Sequence, residues 1–231
     1  DPTIQYEVAV IVHDGLRRMY GEQEDVYYYL TLMNENYSHP DMPMGVEEGI
    51  IRGLYRFSQA KKPGKKHINL MGSGTILVQA MKAAEMLKAD FGVTSDIWSA
   101  TSFNELARDG QDAARHNRLN PLEEPQVPYI TEQLNGVKGP VIAATDYMKN
   151  YADQVRAFIP EGTGYTVLGT DGFGRSDSRV NLRRFFEVDA NHIAAAAMVD
   201  LYKAGSVTKK DLEAALTKYD IDGGKPNPRL V

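Results

Sequence analysis

Apolar positions along this chain recur with two periods, and stretches of one period alternate with stretches of the other. From Asp1-Pro2, which suits the N-cap and first turn of a helix, Ile4, Val8, Ile11, Val12, Gly15 and Met19 fall on one face, and Gly21 supplies the stop. Asp25 to Met33 then alternates Val26, Tyr28, Leu30 and Leu32 with Tyr27, Tyr29, Thr31 and Met33. Both sets are apolar or aromatic, so the pattern predicts a strand buried on both faces, as in a parallel sheet.

Asn34 to Gly45 is irregular, Val46 to Arg56 can form a short helix, and Ser58 to Lys66 is a polar, basic loop around Pro63-Gly64. A domain boundary is expected between about 45 and 66. From His67 the alternation becomes regular. Ile68 to Met71 reads as a strand, Gly72-Ser73-Gly74 as a turn, and Thr75 to Asp90 as a helix. That helix should bury Leu77, Ala80, Met81, Ala84, Leu87 and Phe91, with Gln79 and Lys82 pointing away.

Val93 to Ala100 is the next strand, and Ser102 with Glu105 forms a capping box. After an extended stretch from Pro121 to Pro128 and a helical turn to Leu134 comes a strand at Val141 to Ala144. Thr145 or Asp146 is expected to cap a helix reaching Phe158. Tyr165 to Leu168 is the last strand, followed by a glycine turn and an amphipathic helix carrying Leu182, Phe185 and Phe186, capped by Ser176 or Asp177. An alanine-rich helix from Ala190 to Gly205 and another opened by Thr208-x-x-Asp211 complete the chain. Strands alternating with helices predict an α/β fold, a three-layer α/β/α sandwich with a mostly parallel sheet.

Composition changes this picture little. The 231 residues suffice for one large domain or one domain with an appendage. A net charge of -5 argues against a broad nucleic-acid or anionic-membrane surface. The absence of cysteine removes disulfides, thiolate metal sites and cysteine nucleophiles, and is compatible with a cytoplasmic location. No apolar run approaches the roughly 20 residues of a membrane span, and the first residues do not read as a secretory signal. A helix beginning at once, without a methionine, leads us to expect a fragment of a longer chain.

The candidate chemistry is sparse. Gly169-x-x-x-x-Gly174-Arg175-Ser176 is one residue from a phosphate loop, with arginine in place of lysine. Arg175 is planar and forked rather than a point charge, and the loop follows the last strand rather than the first, so a tight strand-to-helix turn is the reading preferred over nucleotide binding. Gly72-Ser73-Gly74-Thr75 begins a dinucleotide pattern that fails at Leu77. His13 beside Asp14 reads as a solvated histidine. His39, His67, His116 and His192 have no ligand spacing, and the polar run Arg108 to Asp112 reads as an exposed helix terminus.

Longer blocks carry more information. The stretch from Leu168 to Asp189, Asn34-Glu35-Asn36-Tyr37 after Tyr27-Tyr28-Tyr29, Thr101 to Asp112, Ala144 to Met148, and Asn227-Pro228-Arg229-Leu230 together resemble the transketolase-like thiamine-diphosphate enzymes. Within them the chain is most similar to the C-terminal part of the homodimeric pyruvate-decarboxylating enzymes of bacteria. A fragment of transketolase itself or of a 2-oxoglutarate-type relative is the alternative, and a freestanding nucleotide-binding module on the Gly169 to Ser176 loop is a third.

The resemblance implies a parent enzyme that decarboxylates pyruvate on thiamine diphosphate with magnesium. That parent passes the two-carbon unit to a lipoyl group of an acetyltransferase subunit and acts as a cytoplasmic homodimer. Residues 1–45 are expected to close the pyrimidine-binding middle domain, 46–66 to link, and 67–231 to form the C-terminal domain, which serves packing and dimerisation. The GDG and paired-asparagine signature of the cofactor site is absent, so no catalytic, cofactor-binding or metal residue is expected here, and the isolated fragment is expected to be inactive.

Overall fold

The computed structural model describes residues 1–231. Its core is a five-stranded sheet built from β1 (Tyr55–Ser58), β2 (His67–Gly72), β3 (Thr94–Ser99), β4 (Val141–Ala144) and β5 (Tyr165–Leu168), in the order β1-β3-β2-β4-β5. β3, β2, β4 and β5 run parallel, and β1 pairs antiparallel with β3 along one edge. The sheet is therefore mixed but mostly parallel.

Both faces of the sheet are covered, because neighbouring residues of each strand point to opposite sides. Ile68, Leu70, Ile142 and Ala144 face α3 (Ile76–Phe91), α8 (Ala190–Lys203) and α9 (Lys209–Lys218) in one apolar cluster. Met71, Trp98, Val141 and Ala143 face α4 (Phe103–Leu119), α5 (Tyr129–Leu134) and α6 (Lys149–Asp153) in the other. These are the three layers of an α/β/α sandwich. Continuous apolar strands such as Val141-Ile142-Ala143-Ala144 are the signature of a sheet buried on both sides, and all four of these side chains are buried.

The first 45 residues lie against this body with a single helix, α1 (Gln5–Leu16), extended by a π turn at Arg17–Gly21. The helix starts at Gln5 rather than at Asp1-Pro2. Its inward stripe also differs from the expected one: Ile4, Glu7, Ile11, Asp14 and Gly15 are buried, while Val12 is 43% exposed. Two carboxylates replace Val8 and Val12 on the inner side because hydroxyl and guanidinium partners meet them there.

Asp25 to Met33 is not a strand. It runs extended, but a strand needs a ladder partner, and this sheet ends at β1 and β5 without pairing to it. The alternation nonetheless survives. Tyr28 and Leu30 pack on the small cluster of Ile11, Ile50 and Tyr55, whereas Tyr27 and Tyr29 are 88% and 83% exposed. One face is covered and the other is open, so the expectation of double burial fails.

Several local expectations shift as well. The short helix is α2 (Glu47–Arg52), and Gly53 at φ 100° turns the chain into β1, an edge strand within the segment expected to be helix and linker. Gln79 points inward, because its side-chain oxygen accepts the Ala190 N–H at the head of α8 at 3.2 Å. Ser102 caps α4 through the Glu105 N–H at 3.1 Å, but Glu105 itself turns to Arg108 instead of closing the box.

Neither Thr145 nor Asp146 caps α6, which begins after Met148. The cap of α7 (Arg179–Phe185) is Ser178 rather than Ser176 or Asp177. Arg108 to Asp112 lies inside α4, not at its end: Asp109 accepts the Tyr129 N–H at 2.6 Å, and Gly110 leaves the space that the Phe158 ring fills.

Candidate functional site

Sheet order locates the one crevice where the chain's direction of winding changes. β2 connects through α3 to β3 on one side, and the chain then crosses back through α4 and α5 to β4 on the other. In open α/β sheets the carboxyl ends of two such strands leave a gap between oppositely placed loops. Here those loops are Ser73-Gly74-Thr75 after β2 and Thr145-Asp146-Tyr147 after β4.

A cleft of about 550 Å³ opens at this point. It is lined by Thr75, Asp146 and Thr170, by Leu182 of α7 with Phe186 just after that helix, and by the extended segment Tyr29 to Met33. The cleft is thus a seam between the first 45 residues and the sandwich.

Charged groups fasten the seam on one side. Arg183 is almost fully buried and donates to both carboxylate oxygens of Glu35, at 2.6 and 3.3 Å, and to Thr75 Oγ1 at 3.1 Å. Those hydrogen bonds hold the Glu35 carboxyl below its ordinary value. Thr75 Oγ1 in turn donates to Asp146 Oδ2 at 3.2 Å. Burial pushes the Asp146 carboxyl up, against the opposing pull of Arg183 and Thr75.

A second fastening lies at the head of α3. The carboxylate of Asp1 accepts from Ser73 Oγ at 2.8 Å and Thr31 Oγ1 at 3.0 Å, and the Asp1 carbonyl accepts the Gly74 N–H at 3.0 Å. A Cβ on Gly74 would sit 2.6 Å from an Asp1 oxygen. The Gly72-Ser73-Gly74-Thr75 stretch is therefore the turn its sequence predicts, and the chain's own Asp1 lies close against it.

A third fastening is Glu7, fully buried under α1. It accepts from Ser99 Oγ at 2.6 Å, Tyr55 Oη at 2.7 Å and the Ile4 N–H at 2.9 Å, and also from the Thr3 N–H. Burial raises the Tyr55 hydroxyl far above its ordinary value, with the Glu7 charge adding to it. Asp14, beside His13, is buried and takes the hydroxyl of Tyr28 at 2.6 Å and Arg17 at 2.7 Å. His13 itself is exposed.

The remaining histidines stay apart. His39 Nδ1 accepts the Gln5 N–H, His116 meets Glu123, and His192 meets Asp189 at the start of α8. His67 is buried against Thr94 and Asp96, and burial lowers its ring's affinity for a proton. No three His, Asp or Glu side chains converge as a metal ligand set.

The Gly169 to Ser176 loop does not form a phosphate cradle, since no helix begins at Gly174 and α7 opens only after Ser178. Arg175 instead lies over the Phe185 ring, 5.4 Å from its centroid. Sequence reasoning missed Glu7, Glu35, Asp146 and Arg183. Glu7 and Asp14 sit three and ten residues after Ile4, on the buried stripe, and that spacing was the available signal.

Residues 53–189, more than half of the chain, match the model of the transketolase-like C-terminal domain, and residues 1–40 match that of the pyruvate dehydrogenase E1 component middle domain. The pyruvate dehydrogenase E1 component of Escherichia coli is 55% identical over 232 aligned positions, covering 100% of this chain and 26% of the relative. That of Cupriavidus necator is 51% identical with the same coverage. The chain spans about a quarter of the length of the curated relatives it matches. A solved transketolase from Leishmania mexicana is 16% identical, with a TM-score of 0.47 over 68% of this chain and 19% of its own.

Proposed function

The chain belongs to the family of transketolase-like C-terminal domains, and from that we infer that it forms the C-terminal quarter of a pyruvate dehydrogenase E1 component. The observation that carries this reading is identity above 50% along the whole chain to E1 components from separate bacteria. The whole enzyme decarboxylates pyruvate on thiamine diphosphate held with magnesium. It then reductively acetylates the lipoyl group of an acetyltransferase subunit, and it works as a cytoplasmic homodimer.

Within that enzyme this chain supplies packing and dimer contacts rather than chemistry. This reading assigns the cofactor to the upstream part of the enzyme, because the sequence carries neither GDG nor paired asparagines. No helix is long and apolar enough to cross a membrane.

Residues 1–45 act as the end of the middle domain, 46–66 as the link and 67–231 as the C-terminal domain. Support for the first unit is its open face: Tyr27, Tyr29, Leu32 and Met44 are all more than half exposed. An apolar, extended edge of that kind is suited to strand pairing with the rest of a middle-domain sheet. Affinity capture tests this. Tagged chain should retain the separately expressed upstream three quarters of the Escherichia coli relative, and Tyr27→Ser/Tyr29→Ser should lose it. No retention by the parent chain would overturn the assignment.

A further inference from the structure

α7 is two turns long, Arg183 is its only buried residue, and Val180 is 76% exposed. A helix of seven residues does not persist by itself in water, so its place is set by what grips it. Two parts of the chain far apart in sequence do so. One is the pair Asn34 and Glu35: Arg183 donates to both oxygens of Glu35, and Arg179 donates to Asn34 Oδ1.

The other is the C-terminal tail. After α9 the chain packs Ile221 on the apolar cluster, passes Gly223-Gly224 and reaches the carboxyl end of α7. There Lys225 Nζ donates to the Arg184 carbonyl at 3.1 Å, the Phe185 carbonyl at 2.5 Å and Glu187 Oε1 at 3.1 Å. A helix leaves acceptors open at this end and favours a cation beside them. Lys225 also lies 5.5 Å from the centroid of the Phe185 ring. Arg184 answers in the other direction, donating to the Tyr219 and Asp220 carbonyls. Farther on, Pro228 and Arg229 press against Gly172, where a Cβ would fall 2.8 Å from the Pro228 carbonyl oxygen.

We infer that the C-terminal tail is a strap that sets the Arg183–Glu35 clasp through α7. With Lys225 seated, the helix is fixed at its carboxyl end and holds Arg183 on Glu35. Without it, α7 keeps its polar hold on Asn34, Glu35 and Thr75 and the apolar anchor of Phe186, and the hold on Glu35 loosens. Coupling between two places needs an element that both of them bias, and a short helix with one buried residue is such an element. α3, with Leu77, Ala80 and Leu87 buried, and α8, with Ile193, Met198 and Leu201, are not. The strap concerns the chain's own packing, and it stands or falls separately from the assignment to the E1 component.

Two variants of the 231-residue chain test this, one ending at Asp222 and one carrying Lys225→Met, which keeps the apolar stem and removes the ammonium. Both should still unfold cooperatively. Amide hydrogen exchange across α7 should quicken, by about tenfold in the shortened chain, while α3 and α8 keep their protection. The Glu35 carboxyl, followed by NMR titration, should move up toward its ordinary value, since Arg183 is what holds it down. Unchanged exchange in α7 overturns the inference, as does exchange that quickens equally in α3 and α8. Faster exchange in α7 with the Glu35 titration unmoved also overturns it, because the tail would then clamp α7 without reaching the clasp. If the shortened chain does not fold, Lys225→Met alone decides by the same two readouts.

Discussion

Glu7 and Ser99 stand 92 residues apart in sequence, yet the Ser99 hydroxyl donates to the Glu7 carboxylate at 2.6 Å in a fully buried position. One belongs to the only helix of the first 45 residues, the other to the carboxyl end of β3. Their contact, with Tyr55 of the edge strand on the same oxygen, makes the segment and the sandwich one packed unit. A carboxylate there is tolerated because its acceptor capacity is filled by hydroxyl and backbone donors.

Removing that carboxylate should therefore cost more than trimming an apolar neighbour. Glu7→Ala strands the Ser99 hydroxyl and two backbone N–H groups and leaves the Tyr55 hydroxyl only that of Tyr6, and should destabilise by about 3–5 kcal/mol. Glu7→Gln keeps the shape and one acceptor oxygen, and should cost about 1–2 kcal/mol. Urea unfolding midpoints measure both, and equal, small losses would mean that the donors find water.

The two carboxyls beside Arg183 should titrate in opposite senses. Glu35 is held below its ordinary value by Arg183, so its contribution is present at neutral pH and is lost as the pH falls through its folded-state value. Asp146 is raised by burial, so its contribution is present in acid and is lost as the pH rises through its folded-state value. At pH 7, Glu35→Gln should thus destabilise and Asp146→Asn should stabilise. The Asp146 difference should narrow as the pH falls toward about 4, near the unfolded-chain carboxyl values, whereas the Glu35 difference should largely persist there and narrow only at lower pH. Thermal melting of the two variants at both pH values tests the signs.

The three glycines of the Gly169 to Gly174 stretch should not respond alike. A Cβ at Gly169 would fall 2.7 Å from the Tyr147 carbonyl oxygen, and one at Gly172, with φ 113°, 2.8 Å from that of Pro228. Nothing lies within 4 Å of a Cβ at Gly174. Alanine should cost about 1–3 kcal/mol at either of the first two positions and under about 0.5 kcal/mol at the third. Chemical denaturation of the three single variants separates the packing glycines from the incidental one.

The sandwich was legible because its local signals agree. Val141 to Ala144 is apolar throughout where both faces are covered, and Thr208 with Asp211 closes both halves of a capping box. What escaped depended on partners far away in sequence. Tyr27 and Tyr29 look like core residues until one knows that no strand of this sheet lies beside them. Gln79 looks solvated until the head of α8 arrives to take its oxygen.

The cleft was hidden for the same reason. Asp146 reads as a helix cap, and only the crossing through α4 and α5, which sets β4 beside β2, brings Thr75 to it. Arg183 and Glu35 are separated by 148 residues, a distance over which spacing carries no information. The family blocks carried the resemblance through residues whose contacts were not themselves readable.

Pyruvate turnover on recombining the parts tests the central claim most directly. The upstream three quarters of the Escherichia coli relative is assayed with thiamine diphosphate and magnesium, alone and with this chain added. The account predicts turnover from the mixture and none from either part, with Glu7→Ala chain restoring less than the parent chain does. Full turnover by the upstream part alone, or a mixture no better than that part, would contradict it.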